Sequence, residues 1–254
     1  MTNSTARVLN DENWDNVIDI EELKRVNTPS LGNRHTPVNH GTALEIFKTT
    51  LDERGIEMSN EHGMLNSNVD KDMNMKYIFV ADVRIPGIDD YVLNFGFVNF
   101  NNKQKSFTIL LGERVMVCSN ECFTHQLADL GRRHIGDSVI ESITEKIDIG
   151  ADRFLDFTEN RVQEIDGLKS VDFTDQMAGE ALLDFHRNGR NISNSNIGRI
   201  VKEYDNPCHE EFKGRNGWNF LNACTETFKC IDNPVLRMSA QSHASKTINN
   251  ICKI

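Results

Sequence analysis

Between Tyr91 and Phe100 the chain alternates with a period of two. Tyr91, Leu93, Phe95 and Phe97 share one face, and Val92, Asn94, Gly96 and Val98 share the other. That period belongs to an extended strand, whose successive side chains point to opposite faces of a sheet. Asn101-Asn102-Lys103 follows, a composition suited to a hairpin turn. Ser106 to Leu111 and Arg114 to Cys118 read as further strands. Upstream, Ile56-Glu57-Met58 opens a strand that reaches Leu65, and Met75 to Ile85 is another, closed by Pro86-Gly87. These runs predict an antiparallel meander of about five strands.

On either side the period changes. Thr42 and Glu45 make a capping-box pattern, Leu44, Phe47 and Leu51 share a face, and Gly55 suits the position just past a helix end, so 42–54 is predicted helical. Beyond the meander, the segment through Arg132-Arg133-His134 is expected to open a helical half. Ile140, Ile143, Ile147, Ala151 and Phe154, extended by Val162 and Ile165, predict one helix from about Asp137 to Asp166. Thr174 caps a second, with Met177, Ala181, Leu182 and Phe185 buried and Gly189 at its end. Ser195 to Tyr204 is a third, and Gly217 to Cys230 a fourth, with Trp218, Leu221, Thr225 and Phe228 in register. Asn233-Pro234 starts the last, proline being suited to a first helical turn. Helix, antiparallel sheet, then helices is the order of an α+β protein, here a curved sheet followed by a helical C-terminal half. Residues 1–36 read as an N-terminal extension, in which Trp14, Val17, Ile18, Ile20 and Leu23 fit a short docking helix. Residues 37–135 read as helix plus sheet, and 136–254 as a helical half packed on that sheet in one compact unit.

No apolar run approaches the ~20 residues that span a bilayer, and the N-terminus has no apolar signal core. An intracellular protein without membrane association is therefore expected, and its six cysteines are expected to be free thiols. The net charge of -10 argues against a uniformly basic nucleic-acid binder. The charge is uneven, however. Residues 137–184 carry 13 acidic and 4 basic side chains, whereas 187–202 carry Arg187, Arg190, Arg199 and Lys202 and no acid. Asparagine is abundant, as at Asn99, Asn101 and Asn102, which reads mainly as a composition bias.

Two motifs carry a resemblance. Phe95 to Lys103, followed by Gly112-Glu113-Arg114-Val115-Met116-Val117-Cys118-Ser119-Asn120, resembles the phage/plasmid-like domain-of-unknown-function family. In that family an Asn-rich turn ending in Lys precedes a Gly-x-x-Val-x-Val-Cys-x-Asn strand end, and a basic turn, here Arg132-Arg133-His134, opens the helical half. Trp218, Asn222, Ala223, Thr225 and Glu226 match its later Trp-x-x-x-Asn-Ala-x-Thr-Glu motif, and His35-Thr36-Pro37 suits the layout, so the resemblance covers roughly residues 35–230. The family turn usually carries Ser-His-Asp before its Lys, where this chain has Asn101-Asn102; chemistry resting on that histidine or aspartate is lost here. The resemblance implies a phage or mobile-element protein acting in a host cytoplasm, and supplies no reaction. In outline the expected fold is similar to Whirly-type and phage annealase-type single-strand binders, an analogy of fold alone.

Several clusters contain residue types capable of chemistry. Cys118, Cys122, His125 and His134 have ligand types that suit zinc, but the spacing is not that of a knuckle and no second cysteine pair completes it. Cys118 with His125 or His134 would make a nucleophile and base only if folding brought them together. Asp82, Asp89, Asp90 and the acids of 137–166 fit a solvated surface better than a hard-metal site. Trp218, Asn222 and Glu226 share a helix face, where Trp218 packs and Asn222 satisfies a buried backbone group. No metal, cofactor or catalytic residue is expected.

The basic residues are better placed. Lys103 and Lys105 fall in a hairpin turn, and Arg132, Arg133, Arg187, Arg190, Arg199 and Lys202 fall at helix ends or loops, where mobile cations meet phosphates. Tyr91, Phe95, Phe97, Phe100 and Phe107 would stack on unpaired bases if exposed, or form the core if buried. The leading expectation is a non-enzymatic binder of single-stranded nucleic acid, RNA slightly favoured over DNA, self-associating through an open sheet edge. The alternative is an acidic factor that binds and redirects a host protein through 137–184. A cysteine- or metal-dependent enzyme comes third.

Overall fold

Six strands form one sheet in the computed structural model, in the order β1-β2-β3-β4-β5-β6, so that neighbours in sequence are neighbours in space. The structure describes residues 13–67, 75–84, 88, 90–116 and 120–254. The strands are β1 (Asn13–Asn16), β2 (Met58–Ser67), β3 (Lys76–Val83), β4 (Tyr91–Phe100), β5 (Phe107–Val115) and β6 (Asn120–Arg132). β1 pairs antiparallel with β2, Trp14 opposite Asn66, and β2 pairs antiparallel with β3, Leu65 opposite Tyr77. Helices α1 (Ile20–Arg25) and α2 (His40–Glu53) lie between β1 and β2 in the chain. After β6 come α3 (Val139–Ser170), α4 (Asp175–Asn188), α5 (Asn194–Asp205), α6 (Gly217–Phe228) and α7 (Pro234–Cys252). An antiparallel sheet with helices mostly in the C-terminal half is the α+β class expected. No helix among the described residues is long and apolar enough to cross a membrane.

The sheet has six strands instead of five because both edges differ from expectation. Residues 120–132, predicted to open the helical half, form β6. Glu121, Gln126, Leu127, Ala128 and Leu130 favour helix, but propensity is a weak prior that pairing along a neighbouring strand overrides. Trp14 lies on β1, and the helix predicted around it starts only at Ile20, where the Asp19 carboxylate accepts from the Glu22 N–H at 2.7 Å. Gly112 does not divide β5, which runs from Phe107 to Val115. The cap of α2 is Asn39, whose Oδ1 accepts from the N–H groups of Gly41 and Thr42, and not Thr42. Val117-Cys118-Ser119 and the Pro86-Gly87 turn lie outside the described residues.

Contacts divide the chain into two compact units. The first comprises Met1–Arg84, Asn94–Leu111 and Gln126–Phe154. Within it, Phe47 of α2 packs on Phe79, Phe95 and Phe97 with ring centroids 5.7, 5.0 and 5.2 Å apart, and Phe95 stacks on Phe154 of α3 at 4.8 Å. The aromatic face is therefore core. β4 is buried at all ten positions, on both faces, so its second face needs its polar groups satisfied. Asn94 Nδ2 donates to one oxygen of the buried Asp82 carboxylate, and Asn60 Nδ2 donates to the other, each at 2.8 Å. A Cβ at Gly96 would stand 2.0 Å from the Phe79 carbonyl oxygen, so glycine is what lets the backbones approach.

The second unit comprises Ile85–Leu93, Gly112–His125 and Leu155–Ile254. Its centre is α6, buried at 11 of its 12 residues between α5 and α7. Phe220 stacks on Phe173 at 4.6 Å and meets Tyr204 edge-on at 4.9 Å, and the Tyr204 hydroxyl donates to the Phe173 carbonyl. Asn222 Nδ2 donates to the Trp218 carbonyl at 2.9 Å, and the Thr225 hydroxyl donates to that of Asn222 at 3.0 Å. The shared helix face is thus internal bracing. In α4, Thr174 caps as predicted, and Ala178, Ala181 and Phe185 are buried, while Met177 and Leu182 are half-buried.

Candidate functional site

Three stretches remote in sequence meet in the first unit: 31–36, the β4–β5 turn, and 133–136. His35 and Ile135 form an antiparallel bridge, the Thr36 N–H donates to the His134 carbonyl at 3.1 Å, and the Gly136 N–H donates to the Arg34 carbonyl at 3.3 Å. In the turn, Lys103 takes φ +65°, and the Gln104 N–H donates to Asn102 Oδ1 at 3.1 Å, an Asx turn that matches the predicted hairpin. Lys103 Nζ then donates to the Leu31 carbonyl at 2.6 Å. The asparagines are more than composition. Asn101 bonds both the Val38 N–H (2.9 Å) and carbonyl (2.8 Å), and Asn99 Nδ2 donates to the same carbonyl at 2.9 Å. Together they tie the segment between His35 and α2 to the end of β4.

A cavity of about 380 Å³ opens where these stretches meet. Lys103, Lys105 and Arg133 line it with Gln104, Ser106 and Ile135, and so do two histidines, His35 and His134. No carboxylate is among these described lining residues. Both imidazoles are buried, with His134 only 4% exposed, and their rings lie 6.3 Å apart edge to face. His35 Nδ1 accepts from the Leu31 N–H at 3.0 Å, so the hydrogen of its neutral ring sits on Nε2. That Nε2 has no partner among the described residues, and neither ring nitrogen of His134 has one. A buried polar group without a partner costs roughly 1–3 kcal/mol, so both rings hold unused donor capacity.

The electrostatics agree. Burial, reinforced by His35, His40 and Arg132, pushes the His134 imidazole down to about 4. Burial, then the Lys103 charge, lowers His35, and burial lowers the half-buried Lys105 ammonium. The His35 and His134 shifts report burial first and neighbouring positive charge second, and the Lys105 shift reports burial alone.

The eight cations expected from sequence fall four in each unit. Lys103, Lys105 and Arg133 line this cavity. Arg132 lies beside it, its Nη2 donating to the Ile135 carbonyl at 3.2 Å. In the second unit Arg187 and Arg190 are exposed at and beyond the end of α4. Arg199 and Lys202 line a groove of about 750 Å³ together with Lys229, Glu203 and Glu226. There Lys229 pairs with Glu226 at 2.7 Å, and two carboxylates oppose any bound phosphate. The aromatics offer no stacking surface, since Tyr91, Phe95, Phe97, Phe100 and Phe107 are all buried.

The sequence offers His134 as part of the basic turn Arg132-Arg133-His134 and as a partner for Cys118, Cys122 or His125. Cys118 and the side chains of Cys122 and His125 lie outside the described residues. The structure instead brings His134 to His35, which enters the sequence reading only through His35-Thr36-Pro37. Nothing in the spacing of two histidines 99 positions apart announces the pair. Among the described residues no group of three His, Cys, Asp or Glu is arranged to hold a metal ion. Asp82 is held by two asparagines, Asp90 pairs with Lys169 at 2.5 Å, and Asp89 lies outside the described residues. No family model matches this chain, and neither a curated protein nor a solved structure does.

Proposed function

We propose that this protein binds single-stranded nucleic acid through its phosphates, at the cavity lined by Lys103, Lys105 and Arg133. The observation that carries this reading is the convergence of three cationic side chains on a cavity whose described lining residues include no carboxylate. With Tyr91, Phe95, Phe97, Phe100 and Phe107 in the core, binding is electrostatic and carries little base preference. Arg187, Arg190, Arg199 and Lys202 are a second, weaker set, because Glu203 and Glu226 share the groove of Arg199 and Lys202. No reaction forms part of the proposal. Phage or mobile-element origin and action in a host cytoplasm rest on the motif resemblance alone. Self-association is supported by β6, a 13-residue strand at a sheet edge.

The test is fluorescence anisotropy with labelled single-stranded RNA, single-stranded DNA and duplex at two salt concentrations. The expected result is binding to single strands that weakens with salt and is lost in the Lys103→Ala, Lys105→Ala, Arg133→Ala triple variant. No binding at low salt would end this reading and turn attention to the acidic α3, whose Glu141, Glu145, Asp152, Asp156, Glu159 and Asp166 are exposed.

A further inference from the structure

We infer that the cavity between the His35 and His134 segments and the β4–β5 turn is a receptor for a terminal phosphate, the phosphomonoester at the end of a nucleic-acid strand. The inference rests on the nucleic-acid reading above and narrows it from the backbone in general to a strand end.

Charge is the first argument. An internal phosphodiester carries a single negative charge, whereas a phosphomonoester carries about -1.5 to -2 near neutral pH. Lys103 and Arg133 alone place two cationic side chains around one small cavity, more than a diester would neutralise and suited to the more highly charged group.

Shape is the second. Lys103, Gln104, Arg133 and Ile135 reach the surface, while His35 and His134 are buried, so the lining has an outer and an inner part. A strand passing over the surface touches the outer cations. Only a chain end can present an unobstructed phosphate to the inner imidazoles.

Hydrogen bonding is the third. The His35 tautomer, set by the Leu31 N–H, leaves Nε2–H as a donor without a partner among the described residues, and His134 holds at least one more N–H in any protonation state. A phosphomonoester has three terminal oxygens to accept them, whereas a diester has two. The apolar rim at Ile135, 47% exposed, would meet the sugar or base next to the phosphate.

The experiment compares one short, internally labelled strand carrying a 5′-phosphate, a 3′-phosphate or neither, by anisotropy on the full chain. One phosphorylated form is expected to bind about tenfold or more tightly than the bare strand, as two or three charge-assisted hydrogen bonds allow. Which end is preferred distinguishes the two sources of the group. Arg133→Ala, a position at the outer rim that leaves the buried rings in place, is expected to remove most of the preference. His134→Leu, which removes both ring nitrogens, with its fold checked by circular dichroism, should do the same. Equal affinity for all three strands, with salt-sensitive binding retained, would overturn the terminal-phosphate site and leave the nucleic-acid reading standing. No binding of any strand would overturn both.

Discussion

Glu113 and Arg161, 48 residues apart in sequence, form a two-point ion pair with no exposure to water: Arg161 Nη2 meets Glu113 Oε1 at 2.6 Å, and Nε meets Oε2 at 3.1 Å. Glu113 belongs to the most distinctive motif of the sequence, and the structure gives it a structural role in the second unit. Arg161 Nη1 also reaches Glu164 at 2.6 Å. Removing one partner of a buried pair leaves the other charge stranded, which costs about 3–5 kcal/mol. Glu113→Ala should lower stability by about 3 kcal/mol, the low end, because Glu164 remains. Replacing both partners with apolar residues, Glu113→Leu with Arg161→Met, should recover much of that loss. Urea midpoints at constant slope would measure both.

The Asn101 amide satisfies both polar groups of the Val38 backbone. Asn101→Leu keeps the volume and removes both bonds, leaving a buried N–H without its acceptor and a carbonyl with fewer donors. A fall in stability of roughly 1–3 kcal/mol is expected. Asn102→Leu, at the neighbouring half-buried position, should cost less. Equal losses at the two positions would contradict the pinning role.

Gly96→Ala places a methyl group against the Phe79 carbonyl oxygen at 2.0 Å, where backbone cannot yield cheaply. Overpacking of this kind costs roughly 1–3 kcal/mol or more. Thermal denaturation should show a clear fall in Tm, whereas Gly179→Ala, with open space around it, should not lower it.

His134 titrates near 4 when folded, below the ordinary value of 6.5, so the unfolded chain takes up its proton first as pH falls. Its contribution to stability is complete above pH 6.5 and is lost between pH 6.5 and about 4, by roughly 3 kcal/mol over the window. His35, also lowered, acts with the same sign. Urea midpoints from pH 7.5 down to 4.5 should fall less steeply in His134→Gln than in the parent protein. Identical slopes would show that the ring is not held neutral.

Under the proposed nucleic-acid reading, salt dependence would separate the two sets of cations. For single strands the log–log slope of affinity against salt is about 0.7 for each phosphate that a cation neutralises. Lys103→Ala with Arg133→Ala should therefore lower the slope by about 1.4 and weaken binding strongly at low salt. Charge reversal at Arg187, Arg190 and Arg199 should weaken binding less, since acids already share the groove beside Arg199.

Period and caps were enough to read the class of this protein and most of its elements. The alternation from Tyr91 to Phe100 marks β4, Thr174 caps α4, and Asn233-Pro234 starts α7, because strand periodicity and helix capping are local properties of a few adjacent residues. The turn at Asn101-Asn102-Lys103 was legible for the same reason. Tertiary structure decided the rest. β6 is a strand because its hydrogen-bond partner lies on β5, which no window of its own sequence contains. The aromatics lie in the core because α2 and α3 cover them, and composition cannot say which face is covered. The pairing of His35 with His134 depends on a backbone bridge that closes a loop of nearly one hundred residues. Burial, partnership and charge environment are properties of such closures, and they are what gather two scattered histidines and three scattered cations around one cavity.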